Sequence, residues 1–283
     1  MKTILVIIAG MADIPDAVTL RDTPLTVARI PALDMLARRG EATVCPSIRK
    51  GAPVSHKNSL VALLGYDVEK GEFSSEELME FGLNNASVLT DYKSLRPFII
   101  PGFSGHGVCI TTSAWVRGLA KCALLSPLDI YSPGSSDAEI FETISQLATD
   151  SIVENEFVLI YVDSSLKASL RRDFEAKVEA LEVIDRHLIA PIADFVWKSD
   201  LMIQLAITTD LTTPWHTGRP VDISVPVILY FNNLDSEGDP DVHFTETESM
   251  LMHRHFTHPS DLIRYLSNFS ISEEEETPSD LPF

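Results

Sequence analysis

Cysteine is scarce in this chain of 283 residues: only Cys45, Cys109 and Cys122 occur, and none forms a Cys-x-x-Cys pair. That leaves no thiolate zinc motif and no disulfide framework, and it fits reduced thiols in a cytoplasm. Cations are scarce as well, with 22 Lys and Arg against 41 Asp and Glu and a net charge of −19. A phosphate backbone would be repelled by such a chain, so nucleic acid is excluded as a partner. Long apolar runs are missing too. The first one, Lys2–Ile8, is followed closely by Asp13 and Asp16. It is too short to span a membrane and reads as a buried strand, so no membrane association is expected. No internal repeat is present. Residues 272–283, with four successive glutamates and two prolines, read as an acidic disordered tail.

What is there describes an α/β chain. Apolar residues make up 45%, enough for a sizeable core. β-Branched runs at Lys2–Ile8, 108–111, Phe157–Val162, 202–208 and Val225–Phe231 predict strands. Apolar residues at steps of three and four predict helices over 24–39, 114–124, 138–148 and 173–197, the last kinked by Pro191. Alternation of the two implies a mostly parallel, doubly wound sheet with helices on both faces. Residues 1–271 read as a single domain.

Open parallel sheets bind ligands beyond the carboxyl ends of their strands. The loops there begin Ala9-Gly10-Met11-Ala12-Asp13, Asp163-Ser164-Ser165 and Thr209-Asp210-Leu211. Asp163 and Asp210 make at most half of a divalent metal site, and the only histidine near either in sequence is His216. The cluster of His253, His255 and His258 reads as a solvated loop ahead of a helix near Ser260.

Six segments in order carry a resemblance. They are Gly10-Met11-Ala12-Asp13; Thr23-Pro24-Leu25 with Pro31-Ala32-Leu33-Asp34; Leu63-Leu64-Gly65-Tyr66-Asp67; Arg117-Gly118-Leu119-Ala120-Lys121; Asp173 through Val178 with Ile184-Asp185; and Asp210, Thr213-Pro214 with Val225-Pro226-Val227. Together they resemble the archaeal-type, cofactor-independent phosphoglycerate mutase family of the alkaline phosphatase-like superfamily. The resemblance covers residues 1–85 and 105–235 and implies that fold. It also implies two divalent metals and a transiently phosphorylated serine, at positions that can be checked one by one. The first metal-binding aspartate falls on Ala9. A second aspartate and a histidine of one loop fall on Leu166 and Leu170. Another aspartate falls on Asp210, the histidine after it on Leu211, and a final histidine on Pro220. The nucleophile falls on His56, or on Ser55 with a one-residue slip, and Lys57 follows it. A substrate-binding arginine falls on Glu76. The family's inserted lid would be reduced to a loop near 84–105.

Alanine, leucine and proline side chains offer a metal no lone pairs. Lys57 adds positive charge where cations should sit, and Glu76 would repel a phosphoryl group. The expectation is therefore a non-catalytic family member without cofactor or metal, binding an unknown protein or small-molecule partner. Two alternatives stand beside it: a metal-dependent phosphoglycerate mutase or phosphatase, and an enzyme repurposed around His56, Lys57 and Asp210. Phe157–Val162 and 202–208 are expected to be adjacent strands that bring Leu166, Leu170 and Leu211 together. A shrunken hollow is expected there, rimmed by Met11, Ser55, His56 and Asp210, with Lys57 or His56 partnering the aspartate.

Overall fold

The computed structural model describes residues 1–14, 22–66, 72–85, 87–103, 107–130, 134–234, 237–238, 241–251 and 254–268. Asp67, His253 and the acidic tail lie outside these residues. Seven strands form one sheet: β1 (Lys2–Ile8), β2 (Glu41–Cys45), β3 (Gly107–Ile110), β4 (Ser126–Leu128), β5 (Phe157–Val162), β6 (Ile203–Thr208) and β7 (Val225–Phe231). Their spatial order is β2-β7-β6-β1-β5-β3-β4. β1 pairs in parallel with both β5 and β6, and β3 pairs in parallel with β4 and β5. β7 runs antiparallel to β6 and β2. The sheet is thus mostly parallel, as expected, but β1 lies between β5 and β6. The expected adjacency of β5 and β6 is therefore corrected: the loops after them face each other across the loop after β1.

The period-two alternation of each strand sorts its residues onto two cores. Ile4, Val6 and Ile8, with Val158, Ile160 and Val162 and with Ile203, Leu205 and Ile207, face one layer. That layer holds α2 (Pro31–Arg39), α6 (Asp137–Glu154), α8 (Phe174–Ile184) and α9 (Ala190–Lys198). Leu5, Ile7, Ala9, Leu159, Tyr161, Ala206 and Val227 face the other. There lie α3 (His56–Leu63), α4 (Ser75–Leu83), α5 (Ala114–Cys122) and α11 (Asp261–Asn268). No helix among the described residues is long and apolar enough to cross a membrane.

One helix expectation is corrected. The stretch 24–39 is not one helix: α1 (Pro24–Val27) stops at Ala28 in extended conformation and α2 restarts at Pro31. Proline has no N–H and a fixed φ, so it suits a first turn better than an interior. Near Pro191 the helix is interrupted: a π-helical segment, Asp185–Ile189, lies between α8 and α9, and Pro191 falls in the first turn of α9. The π-helical segment places the Asp185 carboxylate on the N–H groups of Ala32 and Leu33, at 3.1 and 2.8 Å, where it caps α2. Burial pushes that carboxyl up to about 6, against the two backbone bonds that lower it.

Helices α4 and α5 cross at a pair of glycines. A Cβ at Gly82 would lie 1.8 Å from the Ala114 carbonyl oxygen, and one at Gly118 would lie 2.0 Å from that of Leu78. Gly118→Ala is expected to force the helices apart and cost about 2–3 kcal/mol by overpacking, measurable by urea denaturation. An unchanged denaturation midpoint would show that the crossing yields freely.

Candidate functional site

At the carboxyl ends of β1, β5 and β6 three loops are laced together. The chain turns out of β1 at Gly10, whose φ of +67° is a left-handed conformation suited to glycine. A Cβ there would sit 2.9 Å from the Cα of Leu166, so the turn lies directly against α7 (Ser164–Leu170). Ser165 Oγ donates to the Gly10 carbonyl at 3.2 Å. Met11 N–H donates to Thr209 Oγ1 at 3.2 Å.

Asp210 is the centre of this lacing and has no exposed surface. Its Oδ1 accepts N–H donors from Leu211 at 2.7 Å and Gly10 at 3.3 Å. Its Oδ2 accepts the Tyr161 hydroxyl at 3.2 Å and lies 2.7 Å from His56 Nδ1. Ser59 Oγ donates to the Asp210 backbone carbonyl. Burial first, and the Asp210 charge second, push the Tyr161 phenol well above its usual value, so it stays a protonated donor.

His56 reaches Asp210 because α3 begins where it does. Ser55 caps the helix, its Oγ accepting the Asn58 N–H at 3.2 Å, and His56 occupies the first turn. Lys57 does not join the site: its ammonium donates to the Phe73 carbonyl. Neighbours on a helix point about 100° apart, so only one of the two can face the strand ends. His56 Nε2 lies 3.3 Å from Thr213 Oγ1. Carboxylate, imidazole and hydroxyl thus stand in the order that activates nucleophiles, yet Thr213 is fully buried and offers no surface to a substrate.

The remaining expected residues are partly gathered and partly scattered. Ala9 and Leu211 are fully buried, Ala9 in the second core. Leu166 packs against that core, half-buried. Leu170 does not join them and is 58% exposed, because it ends α7 on the solvent side. Pro220 and Glu76 are likewise outside the cluster: Pro220 is half-buried in the loop before β7, and Glu76 is exposed in the first turn of α4. Asp163 pairs with Lys167 at 2.8 Å, one turn along, and not with Asp210. The expected rim is absent at Met11 and Asp210, both fully covered.

A second polar cluster escaped the sequence reading. Lys177 on α8 is fully buried, its ammonium 2.6 Å from Asp13 Oδ2 and within 3.2 and 3.1 Å of the carbonyl oxygens of Ala12 and Thr213. Asp13 also accepts the Trp215 and Ile14 N–H groups at 3.0 and 2.8 Å. Glu246 accepts the Asp13 N–H at 2.9 Å and the Thr23 hydroxyl at 2.8 Å. Burial pushes the Lys177 ammonium below its usual value, opposed by Asp13, and pushes Glu246 up. The sequence did carry a signal, a lysine on the apolar stripe between Phe174 and Leu181.

No family model matches the chain. Among curated proteins it is similar to the 2,3-bisphosphoglycerate-independent phosphoglycerate mutases of Aeropyrum pernix (24% identical over 127 residues) and Saccharolobus solfataricus (27% over 176). Those matches take in 44% and 58% of this chain but only 30% and 40% of the relatives, so the chain spans well under half the length of the curated proteins it matches. Among solved structures, the PH0037 protein of Pyrococcus horikoshii superposes with a TM-score of 0.76, 18% identity and 98% coverage of both chains. The cofactor-independent phosphoglycerate mutase of Thermoplasma acidophilum superposes with a TM-score of 0.63 and 15% identity, over 95% of this chain and 100% of that one. Over part of its sequence the chain is similar to the cofactor-independent phosphoglycerate mutases, and it has the α/β fold of the Thermoplasma acidophilum enzyme.

Proposed function

We propose that this chain is a non-catalytic relative of the phosphoglycerate mutases. In this reading its strand ends are closed by side chains instead of metals, and it acts in a cytoplasm by binding a protein or small-molecule partner. The observation that carries this reading is the state of Asp210. Both its oxygens are engaged by Gly10, Leu211, Tyr161 and His56, leaving no lone pair facing open space for a cation. The donor set around it does not fit two divalent metals. Ala9 and Leu211 supply no ligand, and among the described residues no three His, Cys, Asp or Glu side chains are grouped to hold an ion. In this reading the family's lid is reduced to a loop: residues 87–103 hold a short 3₁₀ turn at Leu89–Asp91, and Leu95, Ile100 and Phe103 pack into the second core.

The dialysed protein is expected to hold no stoichiometric manganese, zinc or magnesium by elemental analysis. It is also expected not to interconvert the two phosphoglycerates in a coupled assay with added manganese. One or two tightly held metals per chain, or metal-dependent turnover well above a blank, would overturn the reading. A second reading, an enzyme repurposed around His56 and Asp210, is favoured by the imidazole bridging Asp210 and Thr213. It requires substrate to reach a hydroxyl with no exposed surface.

A further inference from the structure

The turn from α7 to α8 and the loop from β6 to β7 meet at a glycine. Gly218 has a φ of +63°, and a Cβ built on it would lie 3.1 Å from the Ser169 carbonyl oxygen and 3.5 Å from the Leu170 Cα. Arg219 follows that contact on one segment, and Arg171 and Arg172 follow it on the other. All three arginines are exposed, and their guanidiniums have no ion-pair or hydrogen-bond partner among the described residues. Leu170, between them, is 58% exposed. The described carboxylates nearest in sequence are engaged or turned elsewhere. Asp163 pairs with Lys167 at 2.8 Å, Asp173 Oδ1 accepts the Ala176 N–H at 3.0 Å as the cap of α8, and Asp222 lines a hollow with Lys50 and Met250. The stretch 15–21, outside the described residues, contains Asp16 and Arg21 and carries no net charge.

Arg172 is the most informative of the three. Its N–H donates to the Ser169 carbonyl at 2.9 Å and the Asp173 N–H donates to that of Ala168 at 3.1 Å, an ending of α7 at which glycine is the common residue. Arg172 makes it at a φ of +58°, a left-handed conformation that a side chain disfavours. Those bonds need no side chain, and Arg171 already supplies the cation that a helix carboxyl end favours. An arginine held in this conformation without a partner in the chain points to one outside it.

We propose that this cluster is a docking surface for a short acidic segment of a partner protein, with Arg171, Arg172 and Arg219 taking carboxylates and Leu170 taking an apolar side chain. A guanidinium binds a carboxylate through two parallel contacts. The three stand on two exposed segments, which suits charges spaced along a chain better than one compact anion. At about 0.1 M salt, charges beyond roughly 10 Å are screened, so a short segment meets the cluster and not the rest of a chain of net charge −19. A nucleic acid or an anionic bilayer would extend over the acidic surroundings and be repelled. This surface gives the partner-binding reading a site and rests on that reading for its role. The metal and turnover assays judge that reading, whereas a peptide titration judges the surface alone.

The test is fluorescence anisotropy of a labelled synthetic peptide of glutamates around a single leucine, titrated with the full chain at about 0.1 M salt. Saturable binding is expected with a Kd of about 10–100 μM, and none for the same peptide with lysines in place of the glutamates. Arg171→Gln and Arg219→Gln should each weaken it by about fivefold, and together by more than about tenfold. Lys198→Gln removes one charge from an exposed pair with Asp194 and should leave binding unchanged. Arg172→Gly should also weaken binding, while its melting temperature holds or rises because glycine suits the left-handed turn. No saturable binding up to about 1 mM overturns the proposal. So does native binding by Arg172→Gly or by the other two arginine variants, each shown to be folded by circular dichroism. Tighter binding to vesicles containing anionic phosphatidylserine than to the peptide would assign the cluster to a membrane and overturn it equally.

Discussion

Lys177→Met is expected to destabilise the protein by about 3–5 kcal/mol, more than a typical core substitution, because it removes one partner of a fully buried ion pair. Methionine fills much of the same volume, so the loss is electrostatic and not a cavity effect. What remains is the Asp13 carboxylate beside Glu246, with no cation between them and the Ala12 and Thr213 carbonyls facing an apolar side chain. The sign of the pH dependence follows. Burial already raises Glu246 with Lys177 present, and removing the cation raises it further. An acid whose pKa is higher folded than unfolded binds more protons in the folded state, so stability rises as pH falls through that window. The variant should therefore lose less at pH 5 than at pH 8, as read from denaturant midpoints. Lys177→Met combined with Asp13→Asn should recover part of the loss, since both charges are then gone. A double variant no more stable than the single one would mean that Asp13 is held chiefly by the Trp215 and Ile14 N–H groups.

The strands were legible where both faces of the sheet are buried, since β1, β5, β6 and β7 are near-continuous apolar runs. The edge strands were not. β2 reads Glu-Ala-Thr-Val-Cys and β4 is three residues containing Pro127, too short and mixed to show a period. In 24–39, Leu25, Ala28, Ala32 and Leu36 keep helical step across a break, and the pattern hid what Pro31 signalled. At the site, the order of motifs carried Asp210 and the loop of His56 to the strand ends. Which of two adjacent residues would meet the aspartate depended on the first turn of α3, which the Ser55 cap decides. Leu170 was misplaced because α7 turns its last residue outward, a rotation the alignment of motifs does not encode.

Asp210→Ala is expected to cost about 3–5 kcal/mol and to lower the melting temperature by roughly 10 °C. Five donors lose their acceptor at once: the N–H groups of Gly10 and Leu211, the Thr209 and Tyr161 hydroxyls and His56 Nδ1. Three belong to the loops that leave β1 and β6, so the lacing between those strand ends opens together with the bonds. Asp210→Asn keeps the shape and one acceptor oxygen but sets an amide N–H against a second set of donors. It should cost less, about 1–3 kcal/mol. His56→Ala removes only the bridge between Asp210 and Thr213 and leaves the carboxylate its two backbone donors and Tyr161, so it should cost less than Asp210→Ala. That ranking is what a structural plug requires, because each cost follows the number of buried donors left unpaired. The repurposed-enzyme reading predicts another pattern, in which His56→Ala and Asp210→Asn abolish a hydrolytic activity while hardly moving the melting temperature. Thermal unfolding of the three variants, beside a screen of phosphate and carboxylate esters, separates the two. Near-native melting of Asp210→Ala would refute the plug whatever the screen returned.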